Sequence, residues 1–155
     1  MSESTTDSVT NYPALAPSLC VQDAPAAIRW YRSVFGAEEL LRLTAPDGSI
    51  VHAELRIERC LVMLGEEAPG QGDEAPPSLG GTPVRLHLYV DDVDRVVRRA
   101  VSEGAEILIR VADQFYGDRA GRFRDPYGHV WIVATRVETV ATEEMQRRLE
   151  RLAES

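Results

Sequence analysis

One pattern occurs twice in this chain. Leu19-Cys20-Val21-Gln22-Asp23 reads as a strand ending in a helix cap, followed by Ala27, Ile28, Tyr31, Val34 and Phe35 on one helical stripe and then Gly36-Ala37-Glu38. Val84 to Val90 followed by Asp91-Asp92 repeats the strand and cap, and Val93, Val96, Val97, Ala100 and Val101 repeat the stripe up to Gly104-Ala105-Glu106. Asp92 lies 69 positions after Asp23 and Gly104 lies 68 after Gly36, so the copies match with one residue dropped from the second helix. A twofold repeat of one strand–helix unit restricts the possible folds more than any property of the chain as a whole.

The second copy also shows which side of the strand is buried. Val84, Leu86, Leu88 and Val90 alternate with Arg85, His87 and Tyr89, the period of a strand with one apolar face. The valines of the following helix need an apolar surface to cover, so they fold onto the leucine side. His87 then points away from the helix, and that polar side is the natural place for chemistry.

The rest of each copy follows the same order. In the first, strands are expected over about 15–21, 39–44, 50–57 and 60–64, with a Pro46-Asp47-Gly48 turn between the second and third. The third alternates Ala53, Leu55 and Ile57 with His52, Glu54 and Arg56. The fourth is apolar throughout, the pattern of a strand covered on both faces. In the second copy, strands are expected over 84–90, 106–111, 120–124 and 129–135, with Asp125-Pro126-Tyr127-Gly128 fitting a type I turn. The order is β-α-β-β-β twice. Three consecutive strands cannot each be followed by a crossover helix, which excludes a doubly wound parallel sheet and fits an α+β architecture of paired modules. The expected organisation is a disordered leader over 1–13, modules over 14–66 and 83–137, a linker rich in Pro and Gly over 67–82, and a tail over 138–155. Met145, Leu149 and Leu152 give that tail a short amphipathic helix.

The totals narrow the function. Seventeen basic against 25 acidic residues give a formal charge of −8, and no basic stripe interleaved with aromatics occurs, so no nucleic-acid partner is expected. No apolar run reaches membrane-spanning length, no basic and apolar leader is visible, and a cytoplasmic setting is expected. Cys20 and Cys60 are too few for a disulfide framework, and both lie in apolar strand-like stretches.

Paired βαβββ modules, each opening strand–Asp–helix–Gly-Ala, with Asp125-Pro126-Tyr127-Gly128 before the last strand, resemble the vicinal oxygen chelate superfamily. That superfamily includes glyoxalase I, extradiol dioxygenases, fosfomycin-modifying enzymes and bleomycin resistance proteins. The resemblance covers residues about 14 to 136. Leu86-His87-Leu88-Tyr89-Val90-Asp91-Asp92, Phe115-Tyr116-Gly117-Asp118-Arg119 and Gly128-His129-Val130-Trp131 are similar to its glyoxalase-like branch. It implies two modules whose mixed sheets form a U-shaped cleft, and a fold that hosts many chemistries. In metal-using relatives four side chains from the first and last strands of each module hold a divalent ion. The matching positions here are Ala16, Met63, Arg85 and Ile132. Alanine and isoleucine offer no ligand atom, methionine suits a hard cation poorly, and arginine is itself positive. The expectation is therefore no metal at the family position and no cofactor.

Several side chains are candidates for chemistry. His87 is expected in the cleft, as a hydrogen-bonding or acid/base group or as a structural histidine bonded to a neighbouring strand. Tyr89 beside it reads as an aromatic wall. His52 and Glu54 are adjacent on one strand face, where a carboxylate can orient an imidazole as a base. They also fit a displaced metal site with His87 as third ligand, or a solvated polar face, the commonest meaning of such alternation. Ser18 and Cys20 stand where His87 and Tyr89 stand in the second copy; Cys20 reads as a small hydrophobe rather than a nucleophile. Arg122 and Arg124, on one strand face, fit either receipt of a substrate carboxylate or phosphate or simple balance of the −8 surface. Tyr116 and Gln114 fall near the cleft mouth by the resemblance, and Ser18, Cys20, Arg85, Tyr89, Tyr116, Arg122 and Arg124 are the expected substrate-binding set.

The reading that results is a glyoxalase-like protein with a cleft for a small organic molecule, carrying out metal-independent lyase or isomerase chemistry through His87, His52 and Glu54. The alternative is a non-catalytic protein that binds or sequesters a small molecule, like the bleomycin resistance relatives. A homodimer is expected, with the tail helix near its interface.

Overall fold

The computed structural model describes residues 11–155. The leader expected over 1–13 falls mostly outside the described residues, and its last three positions are described. The chain forms two compact units. One comprises the described residues up to Thr82 together with Pro126–His129, and the other comprises Pro83–Asp125 and Val130–Ser155. No helix of the described residues is long and apolar enough to cross a membrane.

In the first unit, β1 (Ser18–Val21), α1 (Ala24–Phe35), β2 (Glu38–Thr44), β3 (Ile50–Ile57) and β4 (Cys60–Glu66) build a four-stranded sheet of order β1-β4-β3-β2. β1 runs parallel to β4, and the other pairs are antiparallel. The Asp23 side chain caps α1 by accepting from the Ala26 amide at 3.0 Å, and Gly36 ends the helix in the left-handed region at φ 68°. Ala27, Ile28, Tyr31, Val34 and Phe35 are buried on α1, as are Leu19, Val21, Ala53, Leu55, Ile57, Val62 and Leu64 on the sheet face of the same parity. This face and the helix stripe make the core of the unit.

The fourth strand corrects the sequence reading. It runs on to Glu66, and its burial alternates, with Val62 and Leu64 buried while Leu61 and Met63 are half-buried and Cys60 is exposed. It is covered by α1 on one face only, and its apolar composition concealed that. Residues 67–82 are not featureless either. A 3₁₀ turn (Pro69–Gln71) and a short helix, α2 (Pro76–Leu79), punctuate them, and Ala75 and Pro76 are buried.

In the second unit, β5 (Arg85–Tyr89), α3 (Val93–Ser102), β6 (Glu106–Asp113), β7 (Asp118–Arg124) and β8 (Val130–Arg136) repeat the arrangement, with order β5-β8-β7-β6 and β5 parallel to β8. Asp92 caps α3 through the Arg95 amide at 3.2 Å, as Asp23 caps α1. Leu88, Phe123, Trp131 and Val133 are buried on the face of the same parity as Val93, Val97 and Ala100 of α3. The repeat extends to the first turn of each helix. The Ala24 amide donates to the Glu66 carboxylate at 3.1 Å, and the Val93 amide donates to the Thr135 hydroxyl at 2.9 Å, each acceptor lying on the last strand of its sheet. A tail helix, α4 (Thr142–Ala153), completes the chain. The architecture is α+β, two four-stranded mixed sheets with helices, as expected.

Candidate functional sites on the two sheets

The strand registers sort the candidate residues by face. In the first sheet Ser18 pairs with Met63 and Met63 with Glu54; Cys20 pairs with Gly65. Side chains on one row of a sheet share a face, and alternate rows share it too. Ser18, Cys20, His52, Glu54 and Met63 therefore occupy the face turned away from α1.

Glu54 is 2% exposed, which overturns the solvated polar face as its setting. Its carboxylate lies 3.0 Å from the His52 Nε2 and accepts from the Tyr12 hydroxyl at 2.9 Å. A buried carboxylate needs such partners, since an unpaired one would be costly. Because a carboxylate accepts, His52 Nε2 is the donor and Nδ1 keeps its lone pair free to take a proton. The bond to Glu54 pushes the Tyr12 phenol above its usual range, helped by burial and by the carboxylate's charge. Sequence reasoning missed Tyr12, because a single tyrosine at the edge of a Ser- and Thr-rich stretch gives no periodic signal.

Beside His52 is a small cavity of about 140 Å³, lined in part by Ser18, Cys20, Gly65, Glu66 and Asp73. Gly65 keeps it open, because a Cβ there would stand 2.6 Å from the Val51 carbonyl oxygen. Burial pushes the Cys20 thiol up, and the charges of Glu67, Asp73 and Glu74 push it further. A thiol in that setting is a poor nucleophile at neutral pH. A larger cavity of about 580 Å³ lies along the same unit, lined by Tyr12, Leu15, Leu40, Arg59 and Leu61 among others. His129, which was not among the candidates, places its Nε2 2.8 Å from the Cys20 carbonyl oxygen, and Tyr127 packs edge-on to Tyr31.

In the second sheet His87, Ile132, Arg122 and Ile109 form one row, and Tyr89, Ala134, Ala120 and Ala112 the next row on the same face. That face is turned away from α3. The His87 ring is exposed and stacks on Tyr89, with centroids 5.1 Å apart and planes 20° apart. Tyr89 is fixed in turn. Its hydroxyl donates to Asp118 at 2.7 Å, and Arg136 Nε donates to the other Asp118 oxygen at 2.6 Å while its guanidinium lies over the Tyr89 ring. Asp118, another residue the sequence reading missed, is 1% exposed. Tyr116 lies near Asp118, Tyr89 and Arg122; burial raises its phenol, the first two raise it further, and Arg122 opposes them.

Among the arginine candidates, Arg124 is exposed and paired with Glu106 at 2.5 Å. Arg85 is exposed at the start of β5. Arg122 is half-buried, and its Nε is enclosed with no hydrogen-bond partner among the described residues.

The family's metal positions do not fit a metal. Met63 and Ile132 are half-buried on the faces just described, Arg85 is exposed, and Ala16 precedes β1. One weak thioether donor is all that these side chains offer. Among the described residues no group of three or more His, Cys, Asp or Glu side chains is placed to hold an ion.

Residues 11–133 match the Glyoxalase/Bleomycin resistance protein/Dioxygenase superfamily, and the chain belongs to it. It is 45% identical over 137 residues to an uncharacterised protein of Mycobacterium bovis, a match covering 86% of this chain and 90% of that one. Among solved structures it is similar to TioX from Micromonospora sp. ML1, with 29% identity and a TM-score of 0.63 over 81% of this chain and all of that one. The fold alone is also shared with FosX of Listeria monocytogenes, a fosfomycin resistance protein crystallised with Mn(II) and sulfate. There the identity is 15% and the TM-score 0.62, over 92% of this chain and 99% of that one.

Proposed function

We propose that this superfamily member binds a small organic molecule and moves a proton on it, a lyase- or isomerase-type reaction in which His52 is the base and Glu54 orients it. The observation that supports this is the His52–Glu54 contact of 3.0 Å with the carboxylate buried beneath it. In that arrangement Nδ1 takes a proton from a carbon acid and the electron pair of the broken C–H bond moves into the substrate. The imidazolium then returns the proton to a neighbouring atom in an isomerisation, or to a leaving group in an elimination. Among the described residues no carboxylate is bonded to His87. Stacked on Tyr89, it serves better as a binding wall. The reading includes a cytoplasmic, homodimeric protein.

The second reading, binding without turnover, draws support from the cavity of about 580 Å³, the size of a ligand pocket, whose lining contains no histidine. A fragment library screened by amide chemical-shift perturbation separates the two. Ligands that map to Ser18, Cys20 and His52, and whose C–H protons exchange with deuterated water at a rate cut roughly a hundredfold or more by His52→Gln, are expected. Ligands that map only to Leu15, Leu40 and Leu61, or exchange that His52→Gln leaves unchanged, would overturn the catalytic reading.

A further inference from the structure

We infer that the face of the second sheet turned away from α3 is a binding site for an organic anion, with Arg122 as the group that receives it and an apolar ligand body lying over Ile132 toward the His87–Tyr89 stack. This rests on the reading that the protein binds a small organic molecule, and adds the chemical class that this sheet would take.

Three observations carry it. The first is that Arg122 is left wanting a partner. Its Nε is enclosed by protein, away from water, and nothing among the described residues accepts from it. The enclosed Nε cannot be reached from outside, so an incoming anion would meet the outer nitrogens of this half-buried guanidinium, which make no hydrogen bond or ion pair among the described residues either. Arg124, Arg119 and Arg136 on this sheet are satisfied within the chain, by Glu106, by Asp94 and Asp113, and by Asp118, while Arg85 and Arg110 are exposed to water and need no partner. With 25 acidic residues in the sequence, a carboxylate for Arg122 would have been easy to supply.

The second observation is the row itself. His87, Ile132 and Arg122 stand side by side on three neighbouring strands, so the imidazole and the guanidinium flank an apolar floor roughly 10 Å across. A floor of this kind suits a ring or short hydrocarbon, with the charge at one end only. The third is Tyr116, half-buried and close enough to Arg122 to feel its charge. A planar carboxylate matches the arginine fork. Attraction of anions in general does not explain such a site, because the protein carries a formal charge of −8.

The test uses the full-length protein and benzoate, a carboxylate on an apolar ring, with benzamide as its neutral counterpart and inorganic phosphate as an anion lacking the ring. The arginine Nε–H resonances and the amides of His87, Ile132 and Arg122 are followed by NMR during titration. Benzoate is expected to shift them saturably and to bind at least tenfold tighter than benzamide, with phosphate weaker than benzoate. Arg122→Gln is expected to weaken benzoate roughly ten- to hundredfold, and Arg122→Lys, which keeps the charge and loses the fork, by less. The lysine variant also guards against a glutamine variant that fails to fold. Equal binding of benzoate and benzamide would overturn the anion assignment and leave small-molecule binding standing. Benzoate shifts that persist in both variants would place the anion elsewhere and overturn it as well. No shift on this sheet with any probe would overturn it too, and the separate fragment screen then decides whether binding survives.

Discussion

Glu54 and Arg122 hold the same place in the two copies of one module. Glu54 lies across from Met63 in the β3–β4 pairing and Arg122 across from Ile132 in the β7–β8 pairing, and Ile132 is 69 residues beyond Met63. Equivalent backbone positions thus carry opposite charges. The acid is satisfied inside its own unit by His52 and Tyr12, whereas the base is not satisfied. The parts that hold each module together have kept their roles, as Glu66 and Thr135 do at the helix starts. The faces turned away from the helices have diverged, as expected where scaffold and site are separate.

Replacing Glu54 should show how much of the first unit rests on that carboxylate. Glu54→Gln keeps the size and removes the charge, so His52 loses a charge-assisted partner and Tyr12 a strong acceptor. A loss of roughly 1–3 kcal/mol is expected from urea unfolding. Tyr12→Phe should cost less, about 0.5–1 kcal/mol, because Tyr12 is exposed. Equal and negligible losses for both variants would show that the Tyr12–Glu54–His52 chain has no weight in solution.

How much of this could be read from the sequence differs between core and site. The repeat, the caps at Asp23 and Asp92 and the βαβββ order were legible because they depend on local spacing and on the alternation of apolar residues. The face of Glu54 was legible too. Its burial and its bond to Tyr12 were not, because Tyr12 lies 42 positions away and no spacing rule links the two. Asp118 escaped for the same reason: its partners Tyr89 and Arg136 lie 29 and 18 positions away, and no spacing rule links them. Arg122 and Arg124 looked alike in sequence, and the Glu106 partner of one and the enclosed Nε of the other set them apart.

Metal content is the next expectation. With Ala16, Met63, Arg85 and Ile132 at the family positions, protein purified without added metal should carry well under one Zn, Ni, Mn or Fe per chain by elemental analysis, and Mn(II) titration should leave the Met63 and Ile132 resonances unbroadened. One tightly held ion per chain, broadening those two residues, is the contrary result.

Acid should act on the tail helix through Glu144. Arg147, Arg148 and Arg151 surround its carboxylate and hold it down to about 2. A depressed folded value means that the stabilisation is present above the ordinary carboxylate range and is lost as pH falls toward about 2. Helical ellipticity should therefore decline over that window in wild type. Other carboxylates titrate there too, so the informative quantity is the difference from Glu144→Gln, which should start with less helix and lose less. Because Arg147 and Arg151 are exposed and Glu144 is only half-buried, 1 M salt should shrink that difference. Identical acid curves for the two proteins would contradict this.

The same helix leaves Leu149 and Leu152 exposed, at 45% and 56%. A second copy of this chain is the expected cover, since two such stripes can pack together about a twofold axis. Light scattering should give twice the 17.2 kDa chain mass at micromolar concentration. Leu149→Glu with Leu152→Glu should return the monomer with the sheets still folded. A wild-type monomer rejects the dimer, and an unchanged dimer in the double variant moves its interface elsewhere.

His87 remains the side chain whose removal says most about the second sheet. It is exposed on the face away from α3, so His87→Ala creates no core cavity and should leave the unfolding midpoint within about 0.5 kcal/mol of wild type. What it removes is one wall of the stack on Tyr89, which Asp118 and Arg136 hold in place from the other side. A ligand ring resting there should lose roughly 1 kcal/mol, about a fivefold weaker Kd, from the lost ring contact and hydrogen bond. Asp118→Asn provides the control. It leaves the imidazole in place and frees Tyr89, so it should cost about 1–2 kcal/mol of stability and weaken the same ligand indirectly. If His87→Ala binds as wild type does while Asp118→Asn does not, the wall is Tyr89 alone and the histidine only covers it.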